Sequence, residues 1–325
     1  MLDVWLPLIA GLVLLIAGGD ILVRGAVKVA EQLGVSPLVI GLTLVGFGTS
    51  TPELVTSVQA ALAGSPGIAF GNIVGSNIAN ILLIVGISAM VFPLAVSSSG
   101  LRRDAMVMLG VSVIFAALAF LVPFGRLVGL AFLAALALYI YLAFRQESGS
   151  GEHGAVHDKA TALESVDPAV TPGHRRQGGL LLPLVLAIGG LLLVVLGGRF
   201  LVSGAVAIAQ SFAIPETVIG LTIVAVGTSM PELVTSIVAA LKRQGDVAFG
   251  NIVGSNIYNL LGIGGATALI SPTRVPQQIV TFDNLLMVGV SLIFVVFAAT
   301  GLRIARGEGA ILLAGYIAYL YLLWP

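Results

Sequence analysis

The sequence contains very little charge. Only 9% of its 325 residues are Asp, Glu, Lys or Arg, whereas 58% are hydrophobic. A soluble domain carries about 25% charged residues, and it needs them to cover a surface that faces water. A chain in a lipid bilayer has no such need, because its lipid-facing positions stay apolar. The composition therefore predicts an integral membrane protein surrounded by membrane lipid.

Cysteine is absent, and histidine is confined to one part of the chain. The lack of cysteine excludes disulfides, thiolate metal sites and thiol catalysis. His153, His157 and His174 all lie in one polar stretch, which argues against a buried histidine-metal site. The formal net charge is zero, so bulk charge indicates no nucleic-acid partner. No motif indicates a protein partner or a resident cofactor.

Long apolar segments fill most of the sequence. A spanning helix needs about 20 mostly apolar residues. The interpretation as a signal peptide is rejected for the first segment, because Asp3 stands where basic residues are expected. Residues 145–179 are polar and lack a hydrophobic period, which predicts a flexible, solvated linker. We expect an all-α polytopic protein with ten transmembrane helices, at 4–24, 35–62, 68–92, 104–121, 125–144, 180–208, 215–241, 247–271, 282–300 and 307–324.

The chain repeats itself across the linker. GLTLVGFGTSTPELVTS (Gly41–Ser57) returns as GLTIVAVGTSMPELVTS (Gly220–Ser236), and AFGNIVGSNIANIL (Ala69–Leu82) returns as AFGNIVGSNIYNLL (Ala248–Leu261). Both blocks recur at an offset of 179 residues. Three matched blocks in one register, counting GGDILVRGAV and GGRFLVSGAV, are not a chance result. The chain is therefore predicted to contain two five-helix repeats, at 1–144 and 180–325.

The positive charges indicate an orientation. Twelve of the fifteen Lys and Arg residues fall in or beside the loops after helices 1, 3, 5, 7 and 9. Positive residues favour the cytoplasmic side, so the linker is expected to be cytoplasmic and both termini outside. Because each repeat has an odd number of helices, the second must enter from the opposite side. Inverted repeats are a recurrent transporter architecture, although some duplicated membrane proteins are scaffolds.

Two carboxylates occupy equivalent places inside the apolar segments. Glu53 and Glu232 are the centres of the matched blocks. A charge at the middle of a spanning helix costs about 2.5–3.5 kcal/mol and faces the bundle interior or a watery cavity. An inverted repeat brings equivalent residues together, so these two carboxylates are expected to face one another. Two carboxylates at such a short distance raise each other's pKa unless a cation lies between them.

The residues around each glutamate suit a cation site. Pro52 lacks an N–H and clashes with the carbonyl four residues before it, so the helix should break there and free backbone oxygens. Pro231 repeats this arrangement. Hydroxyl, carbonyl and carboxylate oxygens are the ligands that calcium prefers, at about 6–8 per ion. The expected ligands, including backbone oxygens of Gly46 and Ala225, are Thr49, Ser50, Glu53, Thr228, Ser229 and Glu232.

The second block adds polar side chains at helical spacing. Ser76 and Asn80 are four residues apart and share a helical face, as do Ser255 and Asn259. Each of these residue types taken alone is more often hydrogen-bonding glue between membrane helices than an ion ligand. The paired glutamates favour the functional interpretation, since packing does not require a carboxylate at mid-membrane.

Two further features of the first helix have structural interpretations. Asp20 and Arg24 are four residues apart and are expected to form a salt bridge. The glycine pairs Gly18–Gly19 and Gly197–Gly198 would permit close, smooth contact between helices 1 and 6. Bulky substitution of Gly19 or Gly198 is then expected to slow transport and spare ion binding.

The two blocks resemble the alpha repeats of the calcium:cation antiporter superfamily, most closely its prokaryotic sodium/calcium exchanger branch. The resemblance covers the whole chain apart from the linker. It implies ten helices, four central ion positions and alternating access by sliding of helices 1 and 6, in the inner membrane of a prokaryote. It also implies roles: Glu53 and Glu232 bind calcium, backbone oxygens near Thr49 and Thr228 complete its shell, Ser50, Ser76, Ser229 and Ser255 form sodium sites, and Asn80 and Asn259 line the centre.

One residue departs from that pattern. Exchangers of this type often carry aspartate where this chain has Asn259. With asparagine in both copies, the centre has two formal negative charges. One calcium ion neutralises them, as do two sodium ions or two protons, whereas a third sodium ion leaves the site positive.

The function expected from the sequence is exchange of calcium for sodium by a secondary antiporter that is not an enzyme. The alternative is a proton/calcium antiporter, or another cation/proton antiporter, that uses the same glutamates. An intramembrane acid–base enzyme is disfavoured, because an acid and a base need unlike environments. No feature indicates a nucleotide-driven pump or a continuous pore.

Overall fold

A computed structural model describes residues 2–97, 101–150, 154–172 and 179–324, and the described part is mostly helical. His153 and His174 lie outside the described residues. Up to the end of the linker, the helices are α1 (Leu2–Gln32), α2 (Pro37–Ile40), α3 (Gly46–Gly48), α4 (Thr51–Leu62), α5 (Pro66–Ala79), α6 (Gly86–Val91), α7 (Met106–Leu121), α8 (Arg126–Ser150) and α9 (Ala155–Val166). One-turn π-helical segments connect several of them, at Gly41–Val45, Asn80–Val85 and Leu101–Ala105.

The second half repeats this order of elements. Its helices are α10 (Leu181–Phe212), α11 (Glu216–Ile219), α12 (Ala225–Thr228), α13 (Met230–Leu241), α14 (Gly245–Ile257), α15 (Gly264–Ile270), α16 (Asn284–Ala299) and α17 (Arg306–Leu323). Its π-helical segments fall at equivalent places, at Gly220–Val224, Tyr258–Ile263 and Ile279–Asp283.

Six helical segments of the described residues are long and apolar enough to cross a membrane. A seventh is a bent pair, Glu216–Thr228 with Met230–Leu241, in which the second helix is bent by 48° relative to the first. The count of ten spanning helices stays a prediction. The six segments are Trp5–Gln32, Pro66–Val91, Arg103–Leu121, Arg126–Arg145, Leu181–Phe212 and Ile279–Ala299.

The helices that carry the glutamates are broken where the prolines predict it. α3 ends at Gly48, Ser50 has φ −88° and ψ 8°, and α4 then begins at Thr51. The second copy matches, with Ser229 at φ −81° and ψ 8° between α12 and α13. Each break lies one turn before a glutamate, so it turns the N-terminus of α4 or α13 toward the interior.

The two long helices α1 and α10 pack against each other in antiparallel directions. Gly18 lies so close to α10 that a Cβ placed on it would be 2.8 Å from Leu193 Cβ, and a Cβ on Gly197 would be 2.7 Å from Leu15 N. Glycines seven residues before and after these two make further contacts in the seam. Gly11 meets Leu201 and Gly25 meets Ala187 on α10, while Gly190 meets Leu22 and Gly204 meets Leu8 on α1. Partner numbers fall on α10 as they rise on α1, which is the direction expected of equivalent helices in inverted repeats.

Short strand contacts also recur. β1 (Leu94–Ala95) pairs antiparallel with β2 (Arg303–Ile304), in the register Leu94 to Ile304. A second bridge joins Phe124 to Thr273. Adding the 179-residue offset to 94 and 124 gives 273 and 303, so the two contacts are equivalents that cross between the halves.

The linker differs from its prediction as a flexible, solvated segment. Within it, residues 155–166 form the helix α9, in which Val156, Lys159 and Ala162 are buried. α9 packs on α14 and on the segment that runs from Gly41 to Gly48. The prediction of a flexible segment is wrong for these residues. The helix has an apolar face formed by residues three or four positions apart, but the many polar residues around it make this pattern weak in the sequence.

Candidate cation site

The two glutamates lie deep in the protein. Glu53 is 1% exposed and Glu232 is 0% exposed, and each stands in the first turn of its helix, α4 or α13. The positive end of a helix dipole favours a carboxylate at this position. The breaks at Ser50 and Ser229 therefore place a carboxylate where the backbone partly offsets its burial.

Each glutamate is held by the serine of the other repeat. Ser50 Oγ donates to Glu232 Oε1 at 2.9 Å, and Ser229 Oγ donates to Glu53 Oε1 at 3.0 Å. The sequence prediction that the two copies meet around these glutamates is consistent with this reciprocal pair. One half of the site thus contains the hydroxyl that orients the carboxylate of the other half.

In each repeat, an asparagine of the second block donates a hydrogen bond to the backbone carbonyl of the glutamate. Asn72 Nδ2 donates to Glu53 O at 3.2 Å, and Asn251 Nδ2 donates to Glu232 O at 3.4 Å. Asn72 Oδ1 also accepts from Thr228 Oγ1 at 2.9 Å, so Thr228 is tied to the first repeat. Sequence reasoning passed over Asn72 and Asn251, although their recurrence at the 179-residue offset was a usable signal.

Several buried oxygen atoms of the predicted ligands have no hydrogen-bond partner. They are Glu53 Oε2, Glu232 Oε2, Ser76 Oγ, Asn80 Oδ1 and Asn259 Oδ1. An unsatisfied buried acceptor is costly, and a carboxylate oxygen more so. Bound cations would satisfy such oxygens, so the donor set fits a cation cargo.

The polar residues of the second block divide into two kinds. Asn80 Nδ2 donates to Asn256 Oδ1 at 2.9 Å, which links the two repeats, whereas Asn77 Nδ2 donates to Ile73 O of its own helix. Ser255 is buried and contacts the side chain of Lys159. Thus Asn256 links the two repeats, and the buried Asn80 Oδ1 has no partner.

The two breaks are not identical in their backbone. The Ser50 N–H donates to Phe47 O at 3.1 Å, whereas the Ser229 N–H donates to Ala225 O at 3.1 Å. Gly46 and Ala225 are both buried, and the Ala225 carbonyl accepts from the Ser229 N–H and from Thr228 Oγ1. Their part in binding an ion stays a prediction.

An unexpected cation lies in the site. Lys159, on the linker helix α9, is 1% exposed and is the one buried Lys or Arg among the described side chains. Its Nζ donates to Thr49 Oγ1 at 2.7 Å, to Ser50 Oγ at 3.1 Å and to Glu232 Oε1 at 3.3 Å, and also to Ser255 Oγ. Burial lowers the pKa of Lys159 from its usual range, and the charges of Glu232 and Glu53 oppose that shift.

Comparison with known proteins identifies the family. The sequence profile described as "Sodium/calcium exchanger protein" matches residues 4–145 and 182–324. The chain belongs to the sodium/calcium exchanger family. It is therefore a membrane antiporter that exchanges calcium and other cations, and it is not an enzyme. Both family matches leave out the segment that carries Lys159.

Relatives of this exchanger cover nearly its whole length. Sodium/calcium exchanger MaX1 of Methanosarcina acetivorans is 35% identical over an alignment of 345 positions, which covers 98% of this chain and 98% of the relative. Inner membrane protein YrbG of Escherichia coli is 36% identical over 323 residues, with 98% of this chain and 95% of the relative covered. The structure of the sodium-calcium exchanger NCX_Mj soaked with 100 mM Na⁺ and 10 mM Sr²⁺ has a TM-score of 0.62 at 30% identity, covering 99% of both chains.

The remaining predicted features of this exchanger lie as follows. Asp20 and Arg24 form the expected salt bridge at 3.0 Å, and Arg24 also bonds Asp167 of the linker at 2.8 Å. Gly18 and Gly197 lie in the α1–α10 seam, as predicted for the glycine pairs. Their neighbours do not: a Cβ on Gly19 would meet open space, and one on Gly198 would meet Val55 of α4 at 2.9 Å.

Proposed function

We propose that this exchanger moves calcium in one direction and sodium in the other by alternating access, with Glu53 and Glu232 binding both ions in turn. The observation that carries the proposal is the reciprocal pairing of Ser50 with Glu232 and of Ser229 with Glu53. This pairing leaves one oxygen of each carboxylate without a partner, at the centre of the two repeats.

The charge of the site suits these ions. Two carboxylates with the neutral amides of Asn80 and Asn259 give a formal charge that one calcium ion or two sodium ions cancel. Within the described residues, no group of three or more His, Asp or Glu side chains is arranged so that it could hold a metal ion by itself. Hydroxyls, amide oxygens and backbone carbonyls must then supply the rest of the shell, which calcium tolerates because its geometry is flexible.

Sharing of ligands would make the protein an exchanger. If calcium and sodium both need Glu53 and Glu232, they cannot bind together, and each must leave before the other enters. Without a bound ion, the single charge of Lys159 offsets only one of the two buried carboxylates, so the ion-free site would change its access poorly. We assign the ligand roles to the residues predicted from sequence, Thr49, Thr228, Ser50, Ser229, Ser76, Ser255, Asn80, Asn259, Gly46 and Ala225.

We propose the topology of ten helices in two inverted repeats, with both termini outside and the linker cytoplasmic, in an inner membrane. The antiparallel packing of α1 and α10 supports the inversion. The chain lacks cysteine, so a Thr171→Cys variant can be labelled alone. In right-side-out vesicles, an impermeant maleimide should label it only after the membrane is opened; labelling of intact vesicles contradicts this orientation.

A second candidate is proton/calcium exchange. The two carboxylates with two neutral asparagines favour it, because two protons neutralise the centre as well as two sodium ions do. The same glutamates would then carry protons on the return step.

The test is uptake of radioactive calcium into proteoliposomes that are loaded with sodium and diluted into sodium-free buffer at fixed pH. Potassium-loaded vesicles and Glu53→Gln protein are the controls. We expect uptake that needs internal sodium and disappears in the variant. Uptake that ignores sodium but follows an imposed pH difference moves the protein to proton coupling. Robust uptake by Glu53→Gln protein would sink the assignment of the glutamates.

A further inference from the structure

Lys159 is coordinated as a bound cation would be. Its ammonium group is buried and lies against four oxygen atoms, three hydroxyls and one carboxylate oxygen, and each of them belongs to a predicted ion ligand. An ammonium has three N–H donors and one positive charge, so it can replace a monovalent ion at such a position. The positive charge in the site therefore comes from the chain itself.

The helix that carries Lys159 is fastened at both ends. At its start, the Ala155 N–H donates to Asp104 Oδ2 at 2.8 Å, and Asp104 is buried. Near its end, Lys242 Nζ donates to Ser165 O at 2.7 Å, and Arg24 bonds Asp167. These contacts come from three different membrane helices or their ends. The placement of α9 therefore does not depend on the lysine alone.

α9 also lies between two parts of the repeats that are in direct contact in the other copy. In the first copy, α5 lies directly against the segment 216–228, so that a Cβ on Gly71 would be 2.9 Å from Gly220 Cα. The equivalent glycine of the second copy, Gly250, instead faces Asp158 of α9. The linker helix thus separates α14 from the segment 37–49, where the repeat would bring them together.

A hydrogen bond is missing at the same place. Thr228 donates to Asn72 Oδ1 in one half, but the equivalent Asn251 Oδ1 has no partner. Its expected donor, Thr49, accepts from Lys159 instead. The insertion of α9 accounts for both the separated helices and the unsatisfied asparagine.

We propose that α9 is a built-in blocker, which enters the site from the linker side and places the Lys159 ammonium where a transported cation binds. This proposal rests on the proposed function of the site. Lys159 and an ion compete for Thr49, Ser50, Glu232 and Ser255, so calcium or sodium arriving from that side must displace α9. A cavity of about 680 Å³ borders α9 at Leu163 and reaches Thr49, which gives the helix space on one side.

The first experiment compares Lys159→Gln with Lys28→Gln, whose lysine is exposed on α1. Calcium binding to each purified full-length protein is measured by equilibrium dialysis with radioactive calcium. If the Lys159 ammonium fills the site for nine-tenths of the time, replacing it should raise the apparent affinity about tenfold, because only the competent fraction binds. The Lys28→Gln protein should bind as the unaltered protein does.

A structural role for Lys159 predicts another result. Removing one partner of a buried ion pair would then lower the melting temperature without raising affinity. The melting temperature of Lys159→Gln is therefore measured with and without calcium. We expect a larger calcium-induced increase than in the unaltered protein, since the ion supplies the charge that the lysine supplied. An unchanged affinity with a calcium response no larger than that of the unaltered protein overturns the proposal.

The second experiment restores the charge chemically. The chain has no cysteine, so Lys159→Cys can be modified at one position. An aminoethyl methanethiosulfonate adds an ammonium at nearly the length of lysine, and the methyl reagent adds a neutral group. We expect the unmodified variant to exchange faster than the unaltered protein, the aminoethyl group to slow it again, and the methyl group to leave it fast. Faster exchange after aminoethylation indicates a structural role and contradicts the blocker.

The experiments distinguish failure of the blocker proposal from failure of the proposed function. If Glu53→Gln abolishes exchange while every Lys159 variant matches the unaltered protein, the function stands and the blocker is wrong. If the unaltered protein is slow and Lys159→Gln is fast, both stand. If neither shows calcium binding or exchange, the cation site itself is wrong, and the blocker falls with it.

Discussion

The same motif packs in two different ways in the two repeats. Ala69–Leu82 and Ala248–Leu261 are nearly identical in sequence, yet Gly71 meets the backbone of Gly220 whereas Gly250 meets α9. The motifs cannot explain this difference, because they are alike. The linker, which has no counterpart, creates it. Near-symmetric repeats therefore define two equivalent helix interfaces, and an element outside the repeats determines that the helices are in contact at one and separated at the other.

A buried aspartate shows the same asymmetry at the edge of the site. Asp104 accepts from Tyr139 at 3.0 Å, from Arg103 and from the first N–H of α9, whereas Asp283 accepts from Tyr319 at 2.9 Å and keeps Oδ2 without a partner. Asp104 thus has two partners, Arg103 and α9, that Asp283 lacks.

The largest loss of exchange is expected from substitution of the glutamates, and the two substitutions should differ in how much they lower stability. Glu53→Gln and Glu232→Gln should both abolish exchange. Glu232→Gln also leaves the buried Lys159 ammonium without its carboxylate, which costs about 3–5 kcal/mol. Glu53 instead bonds a neutral serine at 3.0 Å. Thermal unfolding should therefore give the lower melting temperature for Glu232→Gln, and equal losses would remove the asymmetry between the two halves.

The α1–α10 seam should behave symmetrically. Gly18→Leu and Gly197→Leu introduce bulk where the helices touch, with an overpacking cost of about 1–3 kcal/mol or more. We expect both to slow exchange to a similar degree and to spare calcium binding. Gly19→Leu is the matched control, since Gly19 faces open space. Calcium uptake and equilibrium binding check this, and a slow Gly19→Leu exchanger would argue against contact at the seam as the cause.

The two motif glycines should respond unequally to one methyl group. Gly71→Ala meets the backbone of Gly220, which cannot move aside, so a stability loss of about 1–3 kcal/mol is expected. Gly250→Ala would overlap Asp158 and push α9 away, so it should raise the apparent calcium affinity and cost less stability. Binding and thermal unfolding measured on both variants test this; the same affinity change in both would contradict a difference between the two helix interfaces.

The smallest effect is expected at Asp20. Its bond to Arg24 is largely exposed, with 43% of each side chain accessible, and Arg24 keeps Asp167 as a second partner. Exposed ion pairs contribute about 0.2–1 kcal/mol. Asp20→Asn should therefore leave exchange unchanged and shift the melting temperature slightly, and a loss comparable with that of Glu232→Gln would reveal a role in transport.

The centre of the molecule could be predicted from sequence because its causes are local or repeated. Pro52 and Pro231 interrupt the helix that precedes them, because proline has no N–H and its ring clashes with the carbonyl four residues earlier, and the constant offset pairs Glu53 with Glu232. Neither inference required knowledge of the tertiary structure. The glutamates were expected to face each other, and their cross-repeat serine bonds are consistent with that expectation.

The occupant of the site could not be predicted in this way. Lys159 has no equivalent in the second repeat, and its helix is a short stretch within a polar segment. Val156, Ala160 and Leu163 do follow a helical period there, but the stretch is too short to identify by composition. A similar limit applies to Gly18 and Gly19, because adjacent glycines point about 100° apart on a helix and only one can face α10.

A competitor joined to the protein by the chain has a concentration that no dilution changes. Short tethers give effective concentrations in about the millimolar range. On the proposal made for α9, an ion on the linker side contends with that fixed value whatever the abundance of the protein. The length of chain that connects α8 to Lys159 would then set the effective concentration of the ammonium. Exchange would begin only when the ion concentration on that side is high enough to displace Lys159.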